Sequence, residues 1–326
     1  MLTSNTIFRK RAFKDLAEPH PMPIDALEYP RFAGISTFFR LPHIPDATRL
    51  DVALIGVPFD GGTSYRTGPR MGPRHIRDQS VIIRPYNPVL DVSPFSTLRV
   101  GDYGDLSVNP LSIQATYEKI TDGLKPILDA DTIPMCVGGD HSILLPILRA
   151  IHRVHGPVAL VQFDAHSDTW DQYWGSKYSH GTPVRRAIEE GLLQEPYILQ
   201  VGLRGQLYSA DDMDYAKEHN IVLITAEEFH EQGLGIVKDR LKGFGDRKTY
   251  FTLDIDVVDP AFAPGTGTPQ VGGLTSDQIL RLTRLLKGMN IVGCDLVEVS
   301  PQYDTSEITS LLAANLLFEQ LCLFCF

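Results

Sequence analysis

VALVQFDAHSD, residues 158–168, joins a short apolar run to three residues of types that commonly bind metals. The apolar run contains β-branched and aromatic side chains and is too short for a typical helix, which predicts a buried strand. Side chains alternate between the two faces of a strand, so Asp164, His166 and Asp168 are expected to point to one side. This stretch therefore predicts a strand with a metal site at its end.

Two further clusters of the same kind follow apolar runs elsewhere in the chain. GGDH at 138–141 follows the run 133–137, and DIDVVDP at 254–260 follows the run 250–253. An ionised aspartate taken out of water is destabilised unless it is paired or bound to a metal, and a bound cation reverses that preference. We therefore predict that the clusters bind metal ions and that the protein is a two-metal hydrolase.

Strand-like and helix-like segments alternate along the chain, which predicts a three-layer α/β/α fold with a central parallel sheet. Ligands of such sheets bind at the carboxyl ends of the strands, where all three clusters fall. The predicted strands are 50–58, 133–137, 158–163, 196–201, 221–224, 250–253 and 291–299, and the predicted helices are 111–128, 142–155, 226–233, 276–287 and 306–323.

We expect one catalytic domain over 31–326 and a poorly packed N-terminal arm over 1–30. The glycine-rich stretch 60–74 lacks the ending of a P-loop, and we expect it to be a structural loop or a wall of the active site.

The composition is that of a globular protein with a negative net charge. The chain has 326 residues, of which 43% are hydrophobic and 21% are charged, and its formal net charge is -10. This balance argues against nucleic acid or an anionic membrane as the main partner. The most apolar stretch, 311–326, is shorter than a bilayer span and contains polar residues. The four cysteines form no disulfide framework, and with no secretory signal we expect a cytoplasmic protein.

Five motifs, in order, resemble those of the ureohydrolases, the family of arginase, agmatinase and the guanidino-acid hydrolases. The resemblance extends from about residue 31 to the end and is greatest to the branch of agmatinase, guanidinobutyrase and guanidinopropionase; PRFAGI at 30–35 with FRLP at 39–42 is similar to the guanidino-acid enzymes. The five motifs are GGDHS at 138–142, DAHSD at 164–168, SHGTP at 179–183, DIDVVDPAFAPGTGTP at 254–269 and VEVSPQYD at 297–304.

The resemblance implies a complete set of ligands for two metal ions, with Asp164 and Asp254 bridging them. An oxygen-rich set of this kind suits Mn²⁺, and Ni²⁺ remains open. Such a pair generates a metal-bridging hydroxide, which attacks the guanidinium carbon and releases urea and an amine. The implied ligands are His141, Asp164, Asp168 and Asp254 for one ion, and Asp164, His166, Asp254 and Asp256 for the other.

The resemblance also assigns roles to residues outside the ligand set. His180 is implied as the proton-transfer residue, although a histidine held in a turn is the simpler interpretation. Glu298 is implied as the acid that binds the substrate guanidinium, against the alternative of a carboxylate held by an arginine. Asp168 is expected to serve catalysis as well as the metal. In the loop 169–179, Trp170 and Trp174 are candidates for a substrate-binding wall, or they pack only on their own loop.

The sequence leaves the substrate open among small guanidino compounds. We expect a short guanidino acid, 4-guanidinobutanoate or 3-guanidinopropanoate, or agmatine. The alternatives are an unusual small guanidine or biguanide, or a non-catalytic subunit of a hetero-oligomeric ureohydrolase. A single-zinc deacetylase is disfavoured because the ligand set is fuller than one histidine and two aspartates. We also expect a homo-oligomer, a trimer or hexamer, with a hetero-oligomer open.

Overall fold

A sheet of eight strands lies at the centre of the structure, a computed structural model that describes residues 20–326. Every strand pairing in this sheet is parallel, and the spatial order is β2-β1-β3-β8-β7-β4-β5-β6. The strands are β1 Val52–Val57, β2 Val100–Asp105, β3 Ile133–Gly138, β4 Val158–Phe163, β5 Leu193–Leu203, β6 Val222–Thr225, β7 Thr249–Asp254 and β8 Ile291–Val297.

Helices cover both faces of the sheet, which confirms the predicted three-layer α/β/α class. Alternate side chains of β1 show this: Leu54 belongs to the same buried cluster as Leu316 of the last helix, and Ile55 belongs to a second cluster together with Leu148. The helices are α1 Gly72–Ser80, α2 Pro94–Thr97, α3 Ile113–Asp129, α4 Leu144–His155, α5 Pro183–Glu189, α6 Asp214–Glu218, α7 Ala226–Gln232, α8 Leu234–Leu241, α9 Ser276–Arg284 and α10 Ile308–Leu323.

Several elements were absent from the sequence prediction. Strand β2 was missed because VGDYGD contains two glycines and two aspartates, a composition tolerated in a strand at the edge of a sheet. Helix α1 begins inside the glycine-rich stretch 60–74, where Pro73 occupies its first turn and is compatible with a helix start. The short helix α8 follows Gly233 directly and was also not predicted.

The four strands that lead into the predicted site are neighbours, in the order β3-β8-β7-β4. Their carboxyl ends therefore meet at one edge of the sheet. The chain can close over this edge because residue 139 is a glycine: a Cβ there would lie 2.1 Å from the carbonyl oxygen of Phe59. The Gly139 carbonyl accepts a hydrogen bond from the Glu298 N–H at 2.9 Å, which ties the end of β3 to the end of β8.

The structure describes part of the predicted N-terminal arm and the whole of the apolar C-terminal stretch. Residues 1–19 of the expected arm lie outside the described residues, whereas Tyr29 accepts a hydrogen bond from the buried Arg40 at 2.9 Å. Helix α10 is buried in its own chain, so its apolar character needs no partner subunit to explain it. Within residues 20–326, no helix combines the length and apolarity needed to cross a bilayer.

Candidate metal centre

Two groups of metal-ligand side chains share Asp164. The first brings His141 and Asp168 to it, with the His141 Nδ1 atom 3.1 Å from Asp164 Oδ2 and 2.8 Å from Asp168 Oδ2. The second brings His166 and Asp256 to it, with His166 Nδ1 3.0 Å from Asp256 Oδ2. A carboxylate common to two ligand groups can bridge two ions.

The remaining predicted ligand, Asp254, lies at the same place. It is the last residue of β7, and its Oδ2 atom is 3.6 Å from His141 Nδ1. Its Oδ1 atom accepts the N–H of Asp256 at 2.8 Å, so the oxygen nearer the cluster stays free of that bond. The structure therefore brings all six predicted ligands together.

The route by which they converge differs from the prediction. Strand β4 ends at Phe163, and residues 164–168 form a loop in which Asp168 has a φ of 53°. A continuing strand would send Asp164, His166 and Asp168 to one side; the loop instead sends His166 to one group and Asp168 to the other. The Asp164 carboxylate accepts the His166 N–H at 2.6 Å within this loop, so the expected alternation of a strand does not apply to residues 164–168, although the three side chains still meet at one site.

The donor atoms fit divalent cations. His141 Nδ1 and Asp168 Oδ2 are buried and have no hydrogen-bond partner among the described residues, although they lie 2.8 Å apart. A neutral imidazole nitrogen and a carboxylate oxygen in this arrangement are of the types and at the spacing that suit one divalent ion. The four aspartates of the cluster also carry a charge that two divalent ions would balance.

The pKa values of the carboxyl groups support the same interpretation. Burial, together with the like charges of Asp256 and Asp164, raises the pKa of Asp254 well above its ordinary value. Burial and the Asp164 charge also raise the pKa of Asp168, to about 6. Burial and neighbouring carboxylates thus destabilise the charged forms of Asp254 and Asp168, and bound cations would remove that cost. For Asp164, burial is outweighed by His141 and His166, which lower its pKa.

A hydrogen-bonded chain behind His141 fixes which ring nitrogen faces the cluster. His141 Nε2 lies 2.8 Å from Thr252 Oγ1, and this hydroxyl donates to Asp295 Oδ1 at 2.6 Å. Since the single hydroxyl hydrogen is used on Asp295, Thr252 accepts from the Nε2–H of His141. Tyr250 donates to the other oxygen of Asp295 at 2.8 Å. In the neutral form of His141 the lone pair is therefore on Nδ1, the atom that faces the aspartates.

A second buried chain holds Asp164. Gln162 Nε2 donates to Asp164 Oδ2 at 2.7 Å, and Gln200 Nε2 donates to Gln162 Oε1 at 2.7 Å. The two glutamines are opposite each other in β4 and β5, and both are fully buried. Sequence reasoning missed these residues as well as Thr252 and Asp295; the only available signal was a polar side chain inside an otherwise apolar strand.

His180 and Glu298 lie next to the metal cluster and contact each other. His180 Nδ1 is 2.9 Å from Glu298 Oε1, which also accepts the His141 N–H at 2.8 Å. The other oxygen, Glu298 Oε2, is buried and has no partner among the described residues. Glu298 has a φ of 65°, an unfavourable backbone conformation for a residue with a side chain, of a kind that occurs at functional sites.

The charge state of His180 depends on opposing effects. Burial disfavours the charged ring, but the Glu298 carboxylate and Asp140 outweigh burial and raise the pKa of His180 to about 9. The Ser64 N–H, directed at Nε2 at 3.0 Å, favours the neutral ring because it needs a lone pair there. Cations bound by the neighbouring aspartates would also lower this pKa.

The two tryptophans of the aromatic loop 169–179 lie in different surroundings, one at the cavity and one in solvent. Trp170 and Tyr173 line the cavity that contains the metal-ligand cluster, and Trp170 also packs on Tyr208 at a centroid distance of 5.4 Å. Trp174 is 84% exposed at a hairpin tip with Gly175, and it is not among the residues lining this cavity. The part of the predicted wall assigned to Trp174 is occupied by Tyr173.

The fold and the six ligand side chains define a member of the arginase family. The sequence matches the model of the Arginase family over residues 50–322, and the chain belongs to this family. The resemblance deduced from the five motifs is thereby confirmed.

Individual relatives are similar over nearly the whole chain. A protein from Pseudomonas aeruginosa named guanidinopropionase is 48% identical over 310 residues, covering 94% of this chain and 97% of that protein. A mitochondrial agmatinase from Gallus gallus is 46% identical and covers 90% of this chain and 86% of that protein. The solved structure of proclavaminate amidino hydrolase from Streptomyces clavuligerus has a TM-score of 0.86 and 43% identity, covering 91% of this chain and 99% of that chain. These names confirm the predicted class, hydrolases of C–N bonds in amidino compounds.

Proposed function

We propose that this protein is a hydrolase that cleaves a short ω-guanidino acid, 3-guanidinopropanoate or 4-guanidinobutanoate, into urea and an amino acid with two Mn²⁺ ions per chain. The observation that carries the proposal is the pair of ligand groups sharing Asp164. When bound, the two ions would lower the pKa of water and supply a nucleophile near neutral pH. Manganese is preferred over nickel because four of the six ligands are carboxylates.

Glu298 would bind and orient the guanidinium group. Its free oxygen, Oε2, is buried beside the metal cluster and accepts from planar N–H groups with good geometry. Residue 267 leaves the necessary space because it is a glycine: a Cβ there would lie 3.4 Å from Glu298 Oε2 and 3.0 Å from the carbonyl oxygen of Arg66. Fixing the guanidinium plane presents its carbon to the attacking water.

His180 would transfer the proton that the leaving nitrogen needs. Breaking the C–N bond without this proton would release an amide anion, which is a very poor leaving group. His180 lines the cavity and is 8% exposed, so its proton is exchanged inside the site rather than with bulk water. Glu298 Oε1 accepts from Nδ1 and stabilises the charged ring when it forms.

The walls of the cavity support a short substrate. Trp170 and Tyr173 narrow the space beside the cluster, and their rings can contact a planar cation or an apolar chain. The similarity to a protein named guanidinopropionase supports a guanidino acid, whereas the similarity to an agmatinase makes agmatine the main competitor. Arginine, with a zwitterionic head, is expected to be a poor substrate.

A urea-release assay with manganese-loaded protein tests the proposal. The set should contain 3-guanidinopropanoate, 4-guanidinobutanoate, agmatine, arginine, and small guanidines and biguanides. A guanidino acid is expected to give the highest kcat/KM. Highest activity on agmatine or on a small guanidine would overturn the substrate assignment, and no urea from any compound would favour the non-catalytic subunit. Repeating the assay with Ni²⁺ tests the metal.

We further propose a cytoplasmic homo-oligomer. The four cysteines are free, as expected in a reducing compartment. Leu27, Phe32 and Ile35 are at least 89% exposed, and burial between subunits would stabilise them. Light scattering on the purified protein distinguishes a trimer or hexamer from a monomer, and mass spectrometry of the native assembly would detect a second type of subunit.

A further inference from the structure

Both ring nitrogens of His180 already have protein partners. Nδ1 faces Glu298, whereas Nε2 lies 2.6 Å from Ser64 Oγ and 3.0 Å from the Ser64 backbone nitrogen. The nitrogen that is not held by Glu298 is therefore covered by Ser64. Ser64 and His180 both line the cavity that contains the metal-ligand cluster. With the residues in these positions, a proton that leaves Nε2 for the cavity meets the Ser64 hydroxyl first.

The glycine-rich loop holds Ser64 in this position from both sides. The Gly62 N–H donates to Asp140 Oδ2 at 2.7 Å, and the Gly62 carbonyl accepts the His180 N–H at 2.9 Å. Residue 62 has no room for a side chain, since a Cβ there would lie 2.7 Å from Ser142 Oγ. One main-chain bond thus joins the loop to the His180 segment and a second bond ties the loop to Asp140, so the short contact between Ser64 and His180 is part of a fixed arrangement.

We propose that the Ser64 hydroxyl is a catalytic residue that carries the proton between His180 Nε2 and the leaving nitrogen of the substrate. This inference rests on the proposed function, because it assigns the path of a proton in the same reaction. The loop 60–74, which matches no nucleotide-binding motif, thereby has a chemical role: it delivers one hydroxyl group to the cavity.

The proton balance of the step is closed. Water adds to the guanidinium carbon and gives up one proton, which leaves His180 protonated. As the C–N bond breaks, its electron pair passes to the leaving nitrogen. This nitrogen takes the Ser64 Oγ proton, and Ser64 takes the proton of His180 Nε2. Ser64 is regenerated and His180 returns to its neutral form. The proton that the guanidinium group carried from the start is still on the urea at this point, and its transfer to the amine gives neutral urea and the ammonium form of the product.

Removal of the Ser64 hydroxyl, with the backbone N–H kept, distinguishes a role in proton transfer from a role in positioning His180. Ser64→Ala retains the backbone N–H that faces His180 Nε2, so the imidazole keeps one of its two contacts with residue 64. Thr63→Ala is the matched control: its hydroxyl donates to the Asp60 carbonyl in the same loop and does not line the cavity. Ser64→Thr restores a hydroxyl at the same position.

The experiment measures kcat on guanidino substrates whose leaving amines differ in basicity. Ser64→Ala is expected to lower kcat by at least about tenfold, with a greater loss for strongly basic leaving amines, because these need the proton most. Ser64→Thr is expected to recover most of the activity, and Thr63→Ala to change it little. A Ser64→Ala enzyme with near-normal kcat, or one with the same loss for every leaving group, would overturn the proposal.

A double variant tests whether Ser64 and His180 act in one path. If they do, Ser64→Ala adds no further loss to His180→Asn, because the path is already broken. Losses that multiply would overturn the relay. Failure of the proposed function is distinguishable, since the unmodified protein would then release no urea from any guanidino compound, whereas failure of the relay leaves that activity intact.

Discussion

His141 Nδ1 lies 2.8 Å from Asp168 Oδ2, yet neither atom forms a hydrogen bond with any described residue. In the neutral imidazole the hydrogen is on the opposite nitrogen, where Thr252 accepts it. In this form two buried acceptors face each other, and a cation between their lone pairs would stabilise the arrangement. The contact between Thr252 and His141 depends on the fold, because Thr252 belongs to β7 whereas His141 follows β3.

Thr252→Val should weaken metal binding without removing a ligand. The change deletes the acceptor for His141 Nε2–H, so the imidazole loses its fixed orientation and tautomer, and metal affinity is expected to fall by roughly 10–100-fold. Titration of the ion-free protein with Mn²⁺ measures this directly. Thr249→Val is the control, because Thr249 is equally buried at the other end of β7 and donates only to the Arg247 carbonyl. Equal affinities for the two variants would refute the orienting role.

Glu298→Gln should impair both substrate binding and turnover. The change replaces the charged acceptor that faces the guanidinium group with an amide, so KM is expected to rise and kcat to fall. Steady-state kinetics with the preferred guanidino compound, together with metal analysis, provides the measurement. If kcat and KM are unchanged at full metal content, Glu298 has only a structural role.

His180→Asn should lower kcat by roughly 10²–10⁴, the range expected when a general acid or base is lost. Among the described residues, the ring hydrogen-bonds to Ser64 and Glu298, neither of which is a predicted metal ligand, so metal content should be retained. In the pH–rate profile of the variant, the limb that reflects ionisation of the imidazole should also disappear. Unchanged turnover across that range would exclude proton transfer by this residue.

The tryptophans at 170 and 174 are expected to respond differently to substitution. Trp170→Ala removes a cavity wall and should change the relative kcat/KM values for guanidino acids of different length. Trp174→Ala removes an exposed side chain at a hairpin tip and should leave these ratios unchanged. The same change in selectivity for both variants would show that Trp174 reaches the substrate after all.

Residues that bind metals could be predicted from the sequence because their chemistry is local. Asp164, His166 and Asp168 stand within five positions of one another, and each cluster follows a recognisable apolar run. The split of these residues between two ligand groups could not be predicted, since it depends on a turn made by the Asp164 carboxylate. The local sequence pattern indicates which residues are ligands, but the geometry of the loop determines which of the two ligand groups each residue joins.

Residues that act on the site from a distance in sequence were harder to predict. Ser64 contacts His180 across 116 positions, and Thr252 contacts His141 across 111. Such contacts arise from the crossover order of a parallel sheet: Ser64 follows β1 and His180 follows β4, whereas His141 follows β3 and Thr252 lies in β7. Serine and threonine are common in loops and strands, so neither residue type indicates a site without the fold.

The number of metal ions per chain in the protein and two variants tests the dinuclear account most directly. Metal analysis after manganese loading should give two ions for the unmodified protein and one for His166→Asn, which removes a ligand from a single group. Asp164→Asn weakens both groups at once, so it should retain neither ion tightly and lose urea release by orders of magnitude; Asp254→Asn is expected to behave similarly. An Asp164→Asn protein that keeps two ions and near-normal urea release would contradict the account.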